Sequence, residues 1–110
     1  MKSLKFRPHL VEKILNGEKT STWRLFDDKN LAVGDQVQFI NWDTLEIFGS
    51  AEINSVKTKT LGTLTDQDWV GHEKFASEAE MYATYKKYYG DKVNPNTEVK
   101  ILDFTFQKSI

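Results

Sequence analysis

Two cations and three hydroxyls stand together in Gly17-Glu18-Lys19-Thr20-Ser21-Thr22-Trp23-Arg24, behind a glycine that lets the chain reverse. Such a group suits a phosphate, a carboxylate or an amide carbonyl. Surface loops often hold the same residue types, so the segment alone defines a candidate. Geometry adds a condition. In a regular strand Lys19 and Thr22 would point to opposite faces, because side chains alternate. A shared role therefore requires a turn or bulge between them.

Composition closes off other chemistries. The 110 residues form one domain, with 15 basic against 16 acidic side chains and a formal charge of -1. That balance excludes binding by bulk charge and leaves room for a small basic cleft. With no cysteine there are no disulfides, thiolate zinc sites, iron–sulfur clusters or cysteine nucleophiles. His9 and His72 are far apart and match no metal spacing, and no Gly-Lys-Ser/Thr phosphate loop or dinucleotide fingerprint occurs. No metal or other cofactor is expected. No apolar run approaches the roughly 18 residues of a membrane helix, and no apolar core follows the N-terminal charges. A cytoplasmic monomer without membrane contact is the expectation. Charge is uneven: residues 1–24 hold six basic side chains and only Glu12 and Glu18 as acids. An anionic ligand would be met there.

The elements that must position these residues read as follows. Pro8 opens a helix over 8–16 with Leu10, Val11, Ile14 and Leu15 on one face, and Asn16-Gly17 stops it. Leu4 and Phe6 form a short strand before it. Thr20 to Trp23 favour a strand, and Gln36-Val37-Gln38-Phe39 alternates as another. Asn41-Trp42-Asp43-Thr44 reads as a hairpin connection. A long strand runs from Glu46 to about Leu61, bent near Asn54-Ser55. Thr65 caps a single turn through Trp69. Ser77 and Glu80 have capping-box spacing, opening a helix over 78–89 that Gly90 ends. A last strand covers 99–106. The order β-α-β-β-β-α-α-β, with hairpin turns, predicts an α+β domain: an antiparallel, strongly bent sheet or open barrel carrying two principal helices.

Gly17-x-Lys19-x-x-Thr22-x-Arg24 is similar to the G-x-K-x-x-[E/T]-x-R pattern of ASCH domains, in the PUA-like superfamily. Val33-Gly34-Asp35, Leu61-Gly62-Thr63-Leu64-Thr65, Gly71-His72-Glu73-Lys74-Phe75 and Val99 to Phe104 extend the resemblance over nearly the whole chain. It implies a PUA-like barrel whose cleft is lined by the motif and takes RNA or a nucleotide-like ligand. Small bacterial members include amidohydrolases that deacylate acetylcytidine. Carried over, their proton acceptor, nucleophile and proton donor become Lys19, Thr22 and Glu73. Glu73 takes the third role with a one-residue gap; without the gap, His72 falls in its place. A non-catalytic interaction module is the remaining reading. Lys19, Thr22, Arg24 and Glu73 are expected to converge on one cleft. Arg24, its guanidinium indoors, would hold a phosphate, carbonyl or carboxylate, or brace Glu73 in an ion pair. Ser21 and Trp42 are further ligand contacts, Trp42 by stacking on a base. Trp23, Trp69 and the stripe Met81, Tyr82, Tyr85, Tyr88, Tyr89 read as packing residues. Lys57, Lys59 and His9 read as solvated.

Overall fold

Local chemistry sets most element boundaries in the computed structural model, which describes residues 2–108. Strand β1 (Lys2–Phe6) leads through Pro8 into helix α1 (Pro8–Leu15). Val11 and Ile14 are buried on its inner face. Strands β2 (Ser21–Leu25), β3 (Gln36–Asn41) and β4 (Ile47–Thr60) follow. Two 3-10 turns come next, Leu61–Thr63 and Asp66–Trp69, then helix α2 (Glu78–Tyr89) and strand β5 (Glu98–Lys108). The Ser77 side chain accepts the Glu80 backbone N–H at 3.1 Å and caps α2. Glu78 and Glu80 in its first turn, and Lys86 and Lys87 in its last, suit the helix dipole. Among the described residues no helix is long and apolar enough to cross a membrane.

The five strands form one sheet in the order β1-β3-β4-β5-β2, curled into a half-barrel. Three of the neighbour pairs are antiparallel, but β1 runs parallel to β3, from Lys2 beside Val37 to Phe6 beside Asn41. The sheet is therefore mostly antiparallel, as expected of the bent open barrel, and mixed through the one parallel pair at its β1 edge. Hairpin turns dictate the direction of consecutive strands only. The strands β1 and β3 are separated by α1 and β2, so no local turn signal governs their pairing. Strand β4 bends where expected. Ile53 faces Phe104 and Ser55 faces Asp103, leaving Asn54 as the extra residue of a bulge.

Two apolar clusters hold the sheet, and β5 contributes to both by alternation. Leu102 and Phe104 face one cluster, with Leu4, Phe6, Ile14, Phe39 and Ile53. Val99 and Ile101 face the other, with Trp23, Leu25, Met81 and Tyr85. Each fully buried Leu or Phe here contributes about 1.5–3 kcal/mol. Lys57 and Lys59, expected in solvent, both reach the buried Asp68 carboxylate, at 2.9 and 2.7 Å. Asp68 also accepts the Thr65 backbone N–H at 2.8 Å. Burial raises its pKa, but the two ammonium groups and these hydrogen bonds more than offset that and hold it far below the carboxylate range. This pins the second 3-10 turn to β4.

Candidate active site

The end of α1 decides where Lys19 goes. Gly17 has φ +84°, and its N–H donates to the Ile14 carbonyl while that of Glu18 donates to Lys13. This is the Schellman arrangement, which needs a residue able to take the left-handed conformation. Lys19 follows it, still outside β2, so strand alternation does not apply to it. Its side chain turns inward and its residue is 2% exposed. The ammonium donates to the Ser21 carbonyl at 2.7 Å, on the peptide unit that joins Ser21 to Thr22. It donates also to Glu73 Oε2 at 2.6 Å.

Glu73 is 54 positions away in sequence. A glycine brings it in. The Gly71 carbonyl accepts the N–H groups of both Thr20 and Ser21, at 2.9 and 3.0 Å. Gly71 has φ +77°, and a β-carbon there would run into Thr20 Oγ1. The second 3-10 turn thus delivers the chain to the motif backbone, and His72 and Glu73 follow at once. His72 Nδ1 meets the backbone carbonyl of Glu73 at 2.7 Å, so Nδ1 carries the hydrogen. Its ring stacks on Trp23 with 4.0 Å between centroids. His72 Nε2 lies 3.5 Å from Glu73 Oε1.

Burial dominates the electrostatics. It lowers the Lys19 pKa below the ordinary lysine range; Glu73 opposes this, and Arg24 and Lys13 add to it. Burial raises the Glu73 pKa, but the Lys19 and His72 charges and the Lys19 hydrogen bond prevail, and it ends below its ordinary value. His72 is pushed down to about 4, first by burial and then by the Lys19 charge, so its ring is neutral at pH 7. The unfolded chain then binds a proton at His72 that the folded one refuses. Stability present above the ordinary value of 6.5 should fall as pH drops toward 4, by about 3 kcal/mol at full effect. Urea midpoints of the wild type and His72→Phe at pH 7 and pH 4.5 check this. The wild type should lose clearly more than the variant.

The pocket above this group has a volume of about 340 Å³, near the lower end of the usual 300–1,000 Å³ for small ligands. Thr22, Arg24, His72, Glu73 and Tyr85 line it. Its rim carries Lys5, Arg7, His9, Trp42, Lys87 and Tyr88. The Trp42 backbone N–H donates to the Phe6 carbonyl at 2.8 Å, which sets the β3–β4 hairpin against the end of β1. The Arg7 guanidinium then lies 4.4 Å from the Trp42 ring centroid and 5.5 Å from that of Tyr88.

The expected residues are placed unevenly. Lys19 and Glu73 touch, and Thr22, Arg24 and Trp42 line the same pocket as Glu73. His72 is beside Glu73, so both residues of the open alternative stand at the site. Ser21 is fully buried and off the pocket wall. Arg24 is half-buried and pairs with no carboxylate among the described residues; it donates to the Lys5 carbonyl at 3.2 Å and faces the Phe6 ring. Lys19 takes the place beside Glu73. In the tyrosine stripe, Met81 and Tyr85 are buried, while Tyr88 is exposed at the pocket mouth. Trp23 is buried and also lines the pocket; Trp69 packs against it at 4.5 Å. Arg7 and Lys87 were not singled out. Arg7 belongs to the basic segment 1–24, but nothing in the sequence joins it to Lys87, because the β1–α1 link and α2 meet only in the fold.

Comparison with solved structures places this architecture. An Enterococcus faecalis protein of the DUF984 family superposes with a TM-score of 0.76 at 13% identity, covering 91% of this chain and 71% of its own. The ASCH domain of Lactobacillus crispatus matches with a TM-score of 0.64 at 20% identity, covering 86% and 68%. The ASCH protein of Zymomonas mobilis matches with 0.67 at 12%, covering 94% and 65%. No family model and no curated protein matches the sequence.

Proposed function

From the ASCH-domain fold and the group beneath its pocket, we propose an amidohydrolase that removes an acyl group from the exocyclic amine of a cytidine-type nucleoside. Thr22 is the nucleophile, Lys19 the base and Glu73 the acid. The observation that carries this reading is the Lys19 ammonium, buried 2.6 Å from the Glu73 carboxylate under a wall that includes Thr22. A buried ion pair is a poor way to stabilise a fold. Coupled titratable groups below a cavity are the usual equipment of acid–base catalysis.

The hydrogen bond between them gives both partners their working states. One proton moved from Lys19 Nζ to Glu73 Oε2 turns the ion pair into a neutral amine and a neutral carboxylic acid. Neutral partners are the form that burial favours. The Thr22 oxygen then bonds to the amide carbonyl carbon, and its proton passes to the Lys19 amine. Collapse of the adduct breaks the C–N bond, and the Glu73 proton goes to the departing amine. Water next attacks the Thr22 ester and leaves a proton on Glu73, and Lys19 reprotonates the Thr22 oxygen. The carboxylic acid is released and the starting states return.

A second reading, binding of RNA or a nucleotide in the same cleft, draws on the rim. Lys5, Arg7 and Lys87 with Trp42 and Tyr88 suit phosphates and a stacked base. Incubation with acetylcytidine separates the two. The amidohydrolase releases cytidine and acetate, Thr22→Ala lowers the rate at least about 100-fold, and Thr22→Ser retains part of it. Absence of release from folded protein that binds RNA in a salt-dependent way would favour the second reading.

A further inference from the structure

The acidic corner of the pocket has two acceptors and no donor. Glu73 spends Oε2 on Lys19, and no protein donor among the described residues reaches Oε1. His72 spends its ring hydrogen on the Glu73 carbonyl, so Nε2 offers a lone pair. That lone pair lies 3.5 Å from Glu73 Oε1, and both residues line the pocket. Two acceptors held this close repel each other unless a hydrogen comes between or beside them.

We infer that His72 Nε2 and Glu73 Oε1 together form a specificity element that reads an N–H donor on the ligand, so that the pocket takes an amino or secondary-amide heterocycle and rejects one with a carbonyl there. This rests on the nucleoside reading given above and deepens it. A 4-aminopyrimidine presents such an N–H, and a 4-oxopyrimidine puts a carbonyl oxygen in its place. A site whose polar groups are left unpaired by the wrong ligand discriminates more sharply than one relying on shape. His72 is a positioning residue as well, because its Nδ1–H holds the Glu73 backbone and its ring is fixed by the Trp23 stack.

The test is a calorimetric titration of the wild type and variants with cytidine and with uridine, which differ at the position read. Cytidine should bind at least about tenfold more tightly than uridine, as expected for a hydrogen bond to a charged acceptor. His72→Phe keeps an aromatic ring on Trp23 and removes the acceptor, and should bring the ratio down several-fold. Glu73→Gln supplies an amide donor and should move the ratio further toward uridine. A purely structural His72 would instead weaken both ligands alike and leave the ratio unchanged, which would overturn the inference. Equal binding of the two nucleosides by the wild type would also overturn it, whatever the variants do. Binding of neither nucleoside would sink the nucleoside reading itself, and this inference with it.

Discussion

Lys19→Met should lower turnover of acetylcytidine by about 10²–10⁴-fold, the range of a lost general base. It should also destabilise the domain, because Glu73 would keep a mostly buried charge without its partner. Breaking one side of a buried pair costs about 3–5 kcal/mol. Glu73 opens onto the pocket with its side chain 17% exposed, so the lower end of that range applies. Stability and catalysis are then confounded in the single variant. The double variant Lys19→Met with Glu73→Gln separates them, since removing both charges leaves no charge unpaired. Its urea midpoint should return toward that of the wild type, while its turnover stays at or below the level of Lys19→Met, because the proton donor is gone as well. Recovery of activity in the refolded double variant would remove Lys19 from the chemistry.

Gly71→Ala is expected to damage the site from a position that carries no chemistry. The backbone there is left-handed at φ +77°, and the added carbon meets Thr20 Oγ1. Left-handed backbone costs an L-residue about 1–2 kcal/mol, and forced overpacking adds about 1–3. A loss of about 2–5 kcal/mol in a denaturation curve is therefore expected. The loop also has to move away from Thr20 and Ser21, which carries Glu73 away from Lys19. Turnover should fall by more than the stability loss explains at a temperature where the variant is folded. Thr20→Ala in the same chain removes the colliding oxygen and should restore part of both losses, leaving the backbone strain. No rescue by Thr20→Ala would mean that the collision is not the cause.

Much of this was legible before any coordinates. Pro8, Asn16-Gly17, Ser77 and Gly90 are local signals, and they placed both helices to within a residue of their ends. The bend at Asn54 was visible as a polar interruption in an apolar alternation. What escaped depends on residues distant in sequence. Parallel pairing of β1 with β3 has no turn to announce it. Lys57 and Lys59 looked like solvated strand residues because the acid that gathers them, Asp68, belongs to another element. Of the two roles open to Arg24, holding a ligand's phosphate, carbonyl or carboxylate or bracing Glu73, the second is not the arrangement found: a strand residue two places beyond Thr22 reaches the β1 side of the pocket, at the Lys5 carbonyl. The gap that left His72 and Glu73 as rivals dissolves in space. The two are neighbours: one carboxylate oxygen lies on Lys19, and the imidazole faces the other.

The pairing of Ser21 with Asp103, at one end of the β2–β5 ladder, has a kinetic consequence. In the sheet the motif strand has β5 as its one neighbour, and β5 is the last strand in chain order. Closing so long a loop is entropically slow, and folds dominated by such distant contacts reach the native state in milliseconds to seconds. During synthesis α1 and the β3–β4 hairpin can form while the motif strand still waits for its partner. The group of Lys19, Thr22 and Glu73 is therefore expected to take shape late, once β5 has docked beside the motif strand.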